Sequence, residues 1–421
     1  MIRLFIILML LGTFIHGQQP STQTSQKQIT QPVQQPPQPS TQAQQPAQQQ
    51  PKPKKVSINP FTAPIATKTI AGKQQIPLSA TLALSGAQSI IGKELFDGMN
   101  LYFNKMKEQK DLSFMVHLST LDDTFKIAKA EQNIIKLCRK SPIVVSLFGT
   151  DIITILKSRI QKQLLLGLFP IEGVESLRGE ELKNLVYFRT THKKELETLV
   201  NYSVKKLNKK KIAIFYEAGE WGERVLEELK RVLKDFDLTL VAQAWYPQKT
   251  VNITAAVDTI SKAAPNAIFC IAQARPAYNF IRQILNKGLH NTVFFGISSL
   301  FSIQQTLKRA RGVRTIISSV VPDPFKSNLE IAKEFRADMQ KYLPNKNITP
   351  FCFEGYINAA LTVEYIKRTG FPITPQKLRT TIENTMDFNF KGLELSFDET
   401  TRTLCNNVWL NKGKDKEWPK I

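Results

Sequence analysis

This sequence is poor in the residues that usually mark chemistry. Only four cysteines and four histidines occur in 421 residues. Cys138, Cys270, Cys352 and Cys405 are too scattered for a disulfide framework, and no spacing among them resembles a zinc site. Cys270 sits inside the apolar run Ala267–Ala272 and reads as a core residue, while a Cys352–Cys405 pairing is left open. His16, His117, His192 and His290 fall in unrelated places. No GxGxxG follows a strand, and neither GxxxxGK[ST] nor GxSxG is present, which removes phosphate cradles and serine-hydrolase elbows. Asp122-Asp123 is a carboxylate pair that could bind a metal, but with no third ligand nearby it reads first as a solvated turn. The expectation is a protein without catalysis, cofactor or metal. Long apolar runs are lacking too. Leu4–Ile15 stands alone, well short of the roughly 20 residues a membrane-spanning helix needs.

What is present begins at that run. Met1-Ile2-Arg3 precedes it, and the small residue Gly17 closes it before polar Gln18. This is the layout of a secretory signal peptide over 1–17, with an uncleaved anchor as the other reading. No cysteine lies near the cleavage point, so the chain is not a lipoprotein of the bacterial kind. Residues 18–56 carry 15 Gln and 8 Pro and no acidic residue. Such a segment has too little apolar surface to offset its ordering entropy, and a disordered tether is expected. The formal charge of +22 suggests nucleic acid at first sight. Export argues against it. Arg3 and four tether lysines account for five charges, and the remainder has 52 basic against 35 acidic residues, or +17. Much of that is read as solvated lysine, as in Lys205-Lys206 and Lys209-Lys210-Lys211, with attraction to anionic envelope surfaces as its other meaning.

From residue 75 onward, short apolar runs alternate with amphipathic segments. Strands are expected at Ile76–Leu84, Phe114–Leu118, Ile143–Leu147 and Leu164–Phe169, with helices at Gly92–Met106, Thr124–Cys138 and Ile152–Gln161 between them. The rhythm repeats with strands at Lys211–Tyr216, Leu238–Trp245, Ala267–Ala272 and Val293–Ile297, and helices at Gly222–Phe236, Thr254–Ala263 and Ala277–Lys287. This alternation means parallel sheets with helices on both faces, twice over: an α/β protein of two doubly wound, Rossmann-like lobes. Ligands in such sheets bind beyond the carboxyl ends of the strands, where strand order reverses. The loops to watch are 85–92, 148–151, 170–175, 217–222, 273–276 and 298–301.

The chain also resembles a known family. Leu84-Ser85-Gly86 with Gly92 and Asp97-Gly98, Leu121-Asp122-Asp123 with Ala128, Gly173 to Arg178, and Val186-Tyr187-Phe188-Arg189 are in order. Lys211–Tyr216 with Trp221-Gly222, Pro265–Phe269, Phe280-Ile281-Arg282-Gln283 with Gly288-Leu289, Val320-Val321-Pro322 and Glu354-Gly355-Tyr356 with Ala359 follow. Together they resemble the type I periplasmic substrate-binding proteins of the leucine/isoleucine/valine-binding class. The resemblance implies the type I periplasmic binding protein fold, two lobes joined by a hinge of three crossings. Lobe one is placed at 57–189 plus 323–393 and lobe two at 190–322 plus 394–421. The crossings are expected near 188–191, 319–324 and 393–397.

The same resemblance implies a ligand site. Thr150 matches the hydroxyl residue that holds a ligand carboxylate beside backbone N–H groups, though a turn or N-cap threonine is an equal reading. Ile171, Glu172 and Gly173 form the next loop, where backbone contacts survive and the usual hydroxyl is lost. Trp221 matches the aromatic that closes from lobe two, with core as the other reading, and Gln273 stands at a second aromatic position. Ser298 replaces the acid that grips an ammonium group. Ser85 and Ile91 would line lobe one, Ile91 equally being core. Arg275 in the cleft would suit a small organic acid or amide, and Glu172 there a cation or an amino acid held differently. The implied function is capture of a small polar ligand in the periplasm for an ABC permease/ATPase complex, by a monomer without a stable membrane span or nucleic-acid partner. The rival reading is an envelope or signalling regulator that uses the same fold to bind a protein.

Overall fold

The computed structural model describes residues 59–303, 313–413 and 417–421. The expected leader and tether, 1–17 and 18–56, lie outside the described residues. Two sheets of six strands organise the rest.

The first sheet holds β1 (Lys68–Ile70), β2 (Lys73–Leu82), β3 (Phe114–Asp122), β4 (Ile143–Val145), β5 (Leu166–Leu168) and β6 (Leu185–Val186). β3 pairs with β2 along its whole length, and β4 joins the opposite edge at Ser79. All pairings are parallel except that of β1 with β2. Strand order therefore reverses at β2, and the loops after β2 and β4 face the crevice this creates. Helices α1 (Ser89–Lys107), α2 (Ile127–Leu137) and α3 (Thr150–Gln161) connect these strands.

The second sheet contains β7 (Ile212–Glu217), β8 (Ala242–Tyr246), β9 (Ala267–Ile271), β10 (Val293–Gly296) and β11 (Arg314–Ser319). The final strand β14 (Trp409–Asn411) pairs antiparallel with β11. β7 lies between β8 and β9, so the order reverses there, and the loops after β7 and β9 are the equivalents of those after β2 and β4. Its connecting helices are α4 (His192–Asn201), α5 (Glu220–Lys234), α6 (Thr254–Ala263) and α7 (Ala274–Asn286). β9 is buried at all five positions, as a strand covered on both faces must be.

The chain then returns to the first lobe as α8 (Glu330–Tyr342), α9 (Pro350–Thr369) and α10 (Pro375–Glu383), followed by the hairpin β12 (Phe388–Phe390) and β13 (Leu393–Leu395). α1 and α9 cross with their backbones in contact. A Cβ on Gly98 would stand 1.9 Å from the Cys352 carbonyl oxygen, and one on Gly355 would stand 2.3 Å from that of Leu95. Three stretches join the lobes, 187–191, 320–324 and the segment between β13 and β14. Two of them are laced together: Tyr187 N–H donates to Arg402 O at 2.8 Å, and Cys405 N–H to Phe188 O at 3.0 Å.

Several expected boundaries move for local reasons. The helix expected from Thr124 starts at Ile127, because Thr124 and Phe125 both take φ of 55° in the turn after β3. α7 begins at Ala274 and carries Pro276 in its first turn, where a missing N–H costs nothing. All four cysteines are unpaired, so the Cys352–Cys405 pairing left open above is not formed. Among the described residues, no helix is long and apolar enough to cross a membrane.

Candidate functional site

The reversal loops of the two sheets meet. Gln88, after β2, donates its side-chain N–H to the side-chain carbonyl of Gln273, which follows β9. Gln273 is held in turn. Its backbone N–H donates to the Tyr246 hydroxyl at 2.9 Å, and its amide approaches Glu217 at 3.5 Å. Tyr246 also donates to Glu217 at 2.6 Å. A second link between lobes runs from the Thr154 hydroxyl of α3 to the Glu220 carboxylate of α5 at 3.0 Å. Beside it lies a cavity of about 490 Å³, walled by Asp151, Thr154, Lys157 and Ser158 of α3 and by Glu220 of α5.

The carboxylates along this face repel each other. Burial pushes the Asp151 carboxyl above its ordinary range, and the charges of Glu220 and Glu172 add to the shift. Glu217 is raised as well, first by burial, with bonds from Tyr246 and Gln273 opposing and Asp151 adding. Asp151 and Glu220 thus face this space from both sides, with the Lys157 ammonium beside them.

Deeper in the first lobe, Thr150 and Glu172 come together. α3 starts at Thr150, so its N-cap is Gly149, and the Thr150 hydroxyl is free to donate to Glu172 Oε2 at 2.6 Å. Glu172 Oε1 accepts from the backbone N–H of Gly173 at 2.7 Å and of Val174 at 2.6 Å. Gly173 lies against the imidazole, where a Cβ would fall 2.3 Å from His192 Nδ1. Arg178 binds the backbone oxygens of Glu172, Arg189 and Thr190, tying this loop to the first crossing.

Ser298 belongs to a different group. Its N–H and hydroxyl donate to the Glu195 carboxylate at 2.7 and 3.1 Å, and Arg189 donates to its hydroxyl at 2.5 Å. Arg189 lies 3.3 Å from Glu354 of α9, which completes a buried charge network where the lobes join. Burial works to raise the Glu195 carboxyl, but the His192 bond and the charges of His192 and Arg189 hold it below its usual range. Burial dominates at Glu354 and raises it despite Arg189.

The remaining candidates are spread out. Ser85 is exposed and donates to Asp122 at 2.5 Å. Ile91 and Ile171 are buried in the core, and Ile171 also bridges to Phe148. Trp221 is half-buried against core residues at the start of α5, and Arg275 is exposed in the first turn of α7. The Asp122-Asp123 pair spends its oxygens on the loops around it, Asp122 on Leu84, Ser85 and Thr124, Asp123 on Thr81 and Phe125. No group of three or more potential metal ligands exists among the described residues.

Residues 75–417 match the model of a family described as periplasmic binding protein. The chain belongs to that family. No curated protein sequence matches it. A substrate-binding periplasmic protein from Ralstonia solanacearum is 24% identical, with a TM-score of 0.71 over 80% of this chain and 96% of the other. A structure from Rhodopirellula baltica, described as a possible leucine/isoleucine/valine-binding protein, is 20% identical, with a TM-score of 0.76 over 84% and 98%. A solute-binding protein of an ABC transporter from Rhodopseudomonas palustris, in complex with 4-hydroxybenzoate, is 17% identical, with a TM-score of 0.72 over 82% and 96%. These likenesses establish a shared fold.

Sequence reasoning did not reach several polar groups of this periplasmic binding protein. Gln88 and Glu217 lie in loops marked for inspection, and Tyr246 ends β8, whose loop was not marked; nothing local marks a glutamine as a lobe-to-lobe contact. Asp151 was visible only as the last residue of the marked loop 148–151. Glu195 lies on a helix that the sequence rhythm does not announce, and its partner Ser318 is distant in sequence.

Proposed function

We propose that this chain is an extracytoplasmic solute-binding protein of the leucine/isoleucine/valine-type class. It captures a small polar ligand between its lobes and presents it, without catalysis, to an ABC importer in the periplasm. The observation that carries this reading is the meeting of the two reversal loops at Gln88 and Gln273, the place where open α/β sheets bind ligands. Relatives described as leucine-binding, or bound to 4-hydroxybenzoate, support a small organic solute. Hinge closure about the three crossings would trap it.

A thermal-shift screen of amino acids, amides, amines and small carboxylates on the purified protein tests the proposal. At ligand concentrations near 100 Kd, a specific ligand stabilises by about 2.7 kcal/mol. Absence of any shift with folded protein contradicts it. A second reading, an envelope or signalling regulator that binds a protein partner, is favoured by one observation: the donors of the Thr150 loop are already engaged within the chain. Partner binding that survives Thr150→Ala and Trp221→Ala would support that alternative.

A further inference from the structure

Three donors converge on one carboxylate in the wall of lobe one. The Thr150 hydroxyl and the successive N–H groups of Gly173 and Val174 all point at the side chain of Glu172, at 2.6, 2.7 and 2.6 Å. A hydroxyl beside two adjacent backbone N–H groups is a general cradle for an anion, and charge-assisted bonds of this length are its strong form. The cradle is rigid. Thr150 and Glu172 are both 3% exposed, Glu172 O is tied to Arg178 at 2.8 Å, and His192 packs against Gly173. Its contents come from the chain itself.

We propose that Glu172 is a built-in anion filling the cleft's carboxylate cradle, so that the protein selects small organic amines that carry no carboxylate. The inference rests on the solute-binding reading above. A ligand carboxylate finds its donors taken and meets the charge of Glu172. An amine meets Asp151 from lobe one and Glu217 from lobe two, whose mutual repulsion a cation relieves, while Glu220 beside them is already paired with Arg224. Glu172 is therefore a residue that determines specificity.

Leucine and 3-methylbutylamine, which differ by the carboxylate, are the matched probes for the wild-type protein. The amine is expected to bind at least about tenfold more tightly by titration calorimetry. Glu172→Ala empties the cradle, and acetate can then replace the lost group. In about 100 mM sodium acetate the variant's Tm is expected to rise by at least about 3 °C over matched sodium chloride, with no such difference for wild type. Equal or tighter binding of leucine by wild type overturns the proposal. So does an alanine variant that acetate protects no better than chloride, or that fails to fold even in acetate. If acetate protects Glu172→Ala while neither probe binds wild type, the cradle stands and the choice of amines, with the solute-binding reading behind it, loses its support.

Discussion

Thr154→Val removes one bond between the lobes and leaves shape almost unchanged. The Thr154 hydroxyl reaches Glu220 at 3.0 Å, and Glu220 keeps Arg224 at 3.0 and 2.6 Å in the variant. The carboxylate is thus not stranded, and the loss is the net value of one hydrogen bond at a partly exposed position, about 0.5–1.5 kcal/mol. That energy shifts the balance between closed and open lobes about twofold to twelvefold. Ligand affinity falls by at most the same factor, because only the closed population binds fully. Spin labels at the exposed residues Lys136 of α2 and Lys262 of α6, in a Cys138→Ser background, read the two populations as distances. The expected result is a larger long-distance fraction in Thr154→Val without ligand. An unchanged distribution together with unchanged affinity would refute the role given to this contact.

Two further outcomes follow from buried charge. Burial pushes Glu94 of α1 up to about 7, with a Thr349 bond opposing and Asp97 adding, so the folded chain holds this proton more tightly than an unfolded chain titrating near 4.5. Its contribution to stability is whole below about pH 4.5, falls as pH rises, and is gone above about 7, a difference of roughly 3 kcal/mol. Glu94→Gln should be close to neutral in urea denaturation at the acid end and clearly stabilising near pH 8. At the lobe junction, Arg189→Met strands the buried Glu354 and is expected to cost about 3–5 kcal/mol, whereas Arg189→Met with Glu354→Leu recovers most of it. Urea midpoints of the single and double variants test this.

How far the sequence could be read depends on the range of the forces involved. β7 and β9 announce themselves as apolar runs because a strand covered on both faces needs little else. α5 does so through Val225, Leu226, Leu229 and Leu233 at helical spacing, all buried. The strand-end rule pointed to loops of which two meet at Gln88 and Gln273, and Thr150 and Glu172 were both in view. Their bond was not, because it needs the positions of two separate turns after β4 and β5. The link between Gln88 and Gln273 spans 185 residues, and the junction of Arg189, Glu195, Ser298 and Glu354 draws on four separate segments. Such polar contacts leave no periodic trace in sequence. Burial of the charge network could only be seen once both lobes were folded.

Binding of a small solute between the lobes is read by titrating the compound that raises the Tm into wild type, Gln273→Ala and Asp151→Asn. One site per chain is expected in wild type, weakened at least about tenfold by each substitution while the fold is kept. Unchanged affinity in both variants would place the ligand outside the cleft and contradict it.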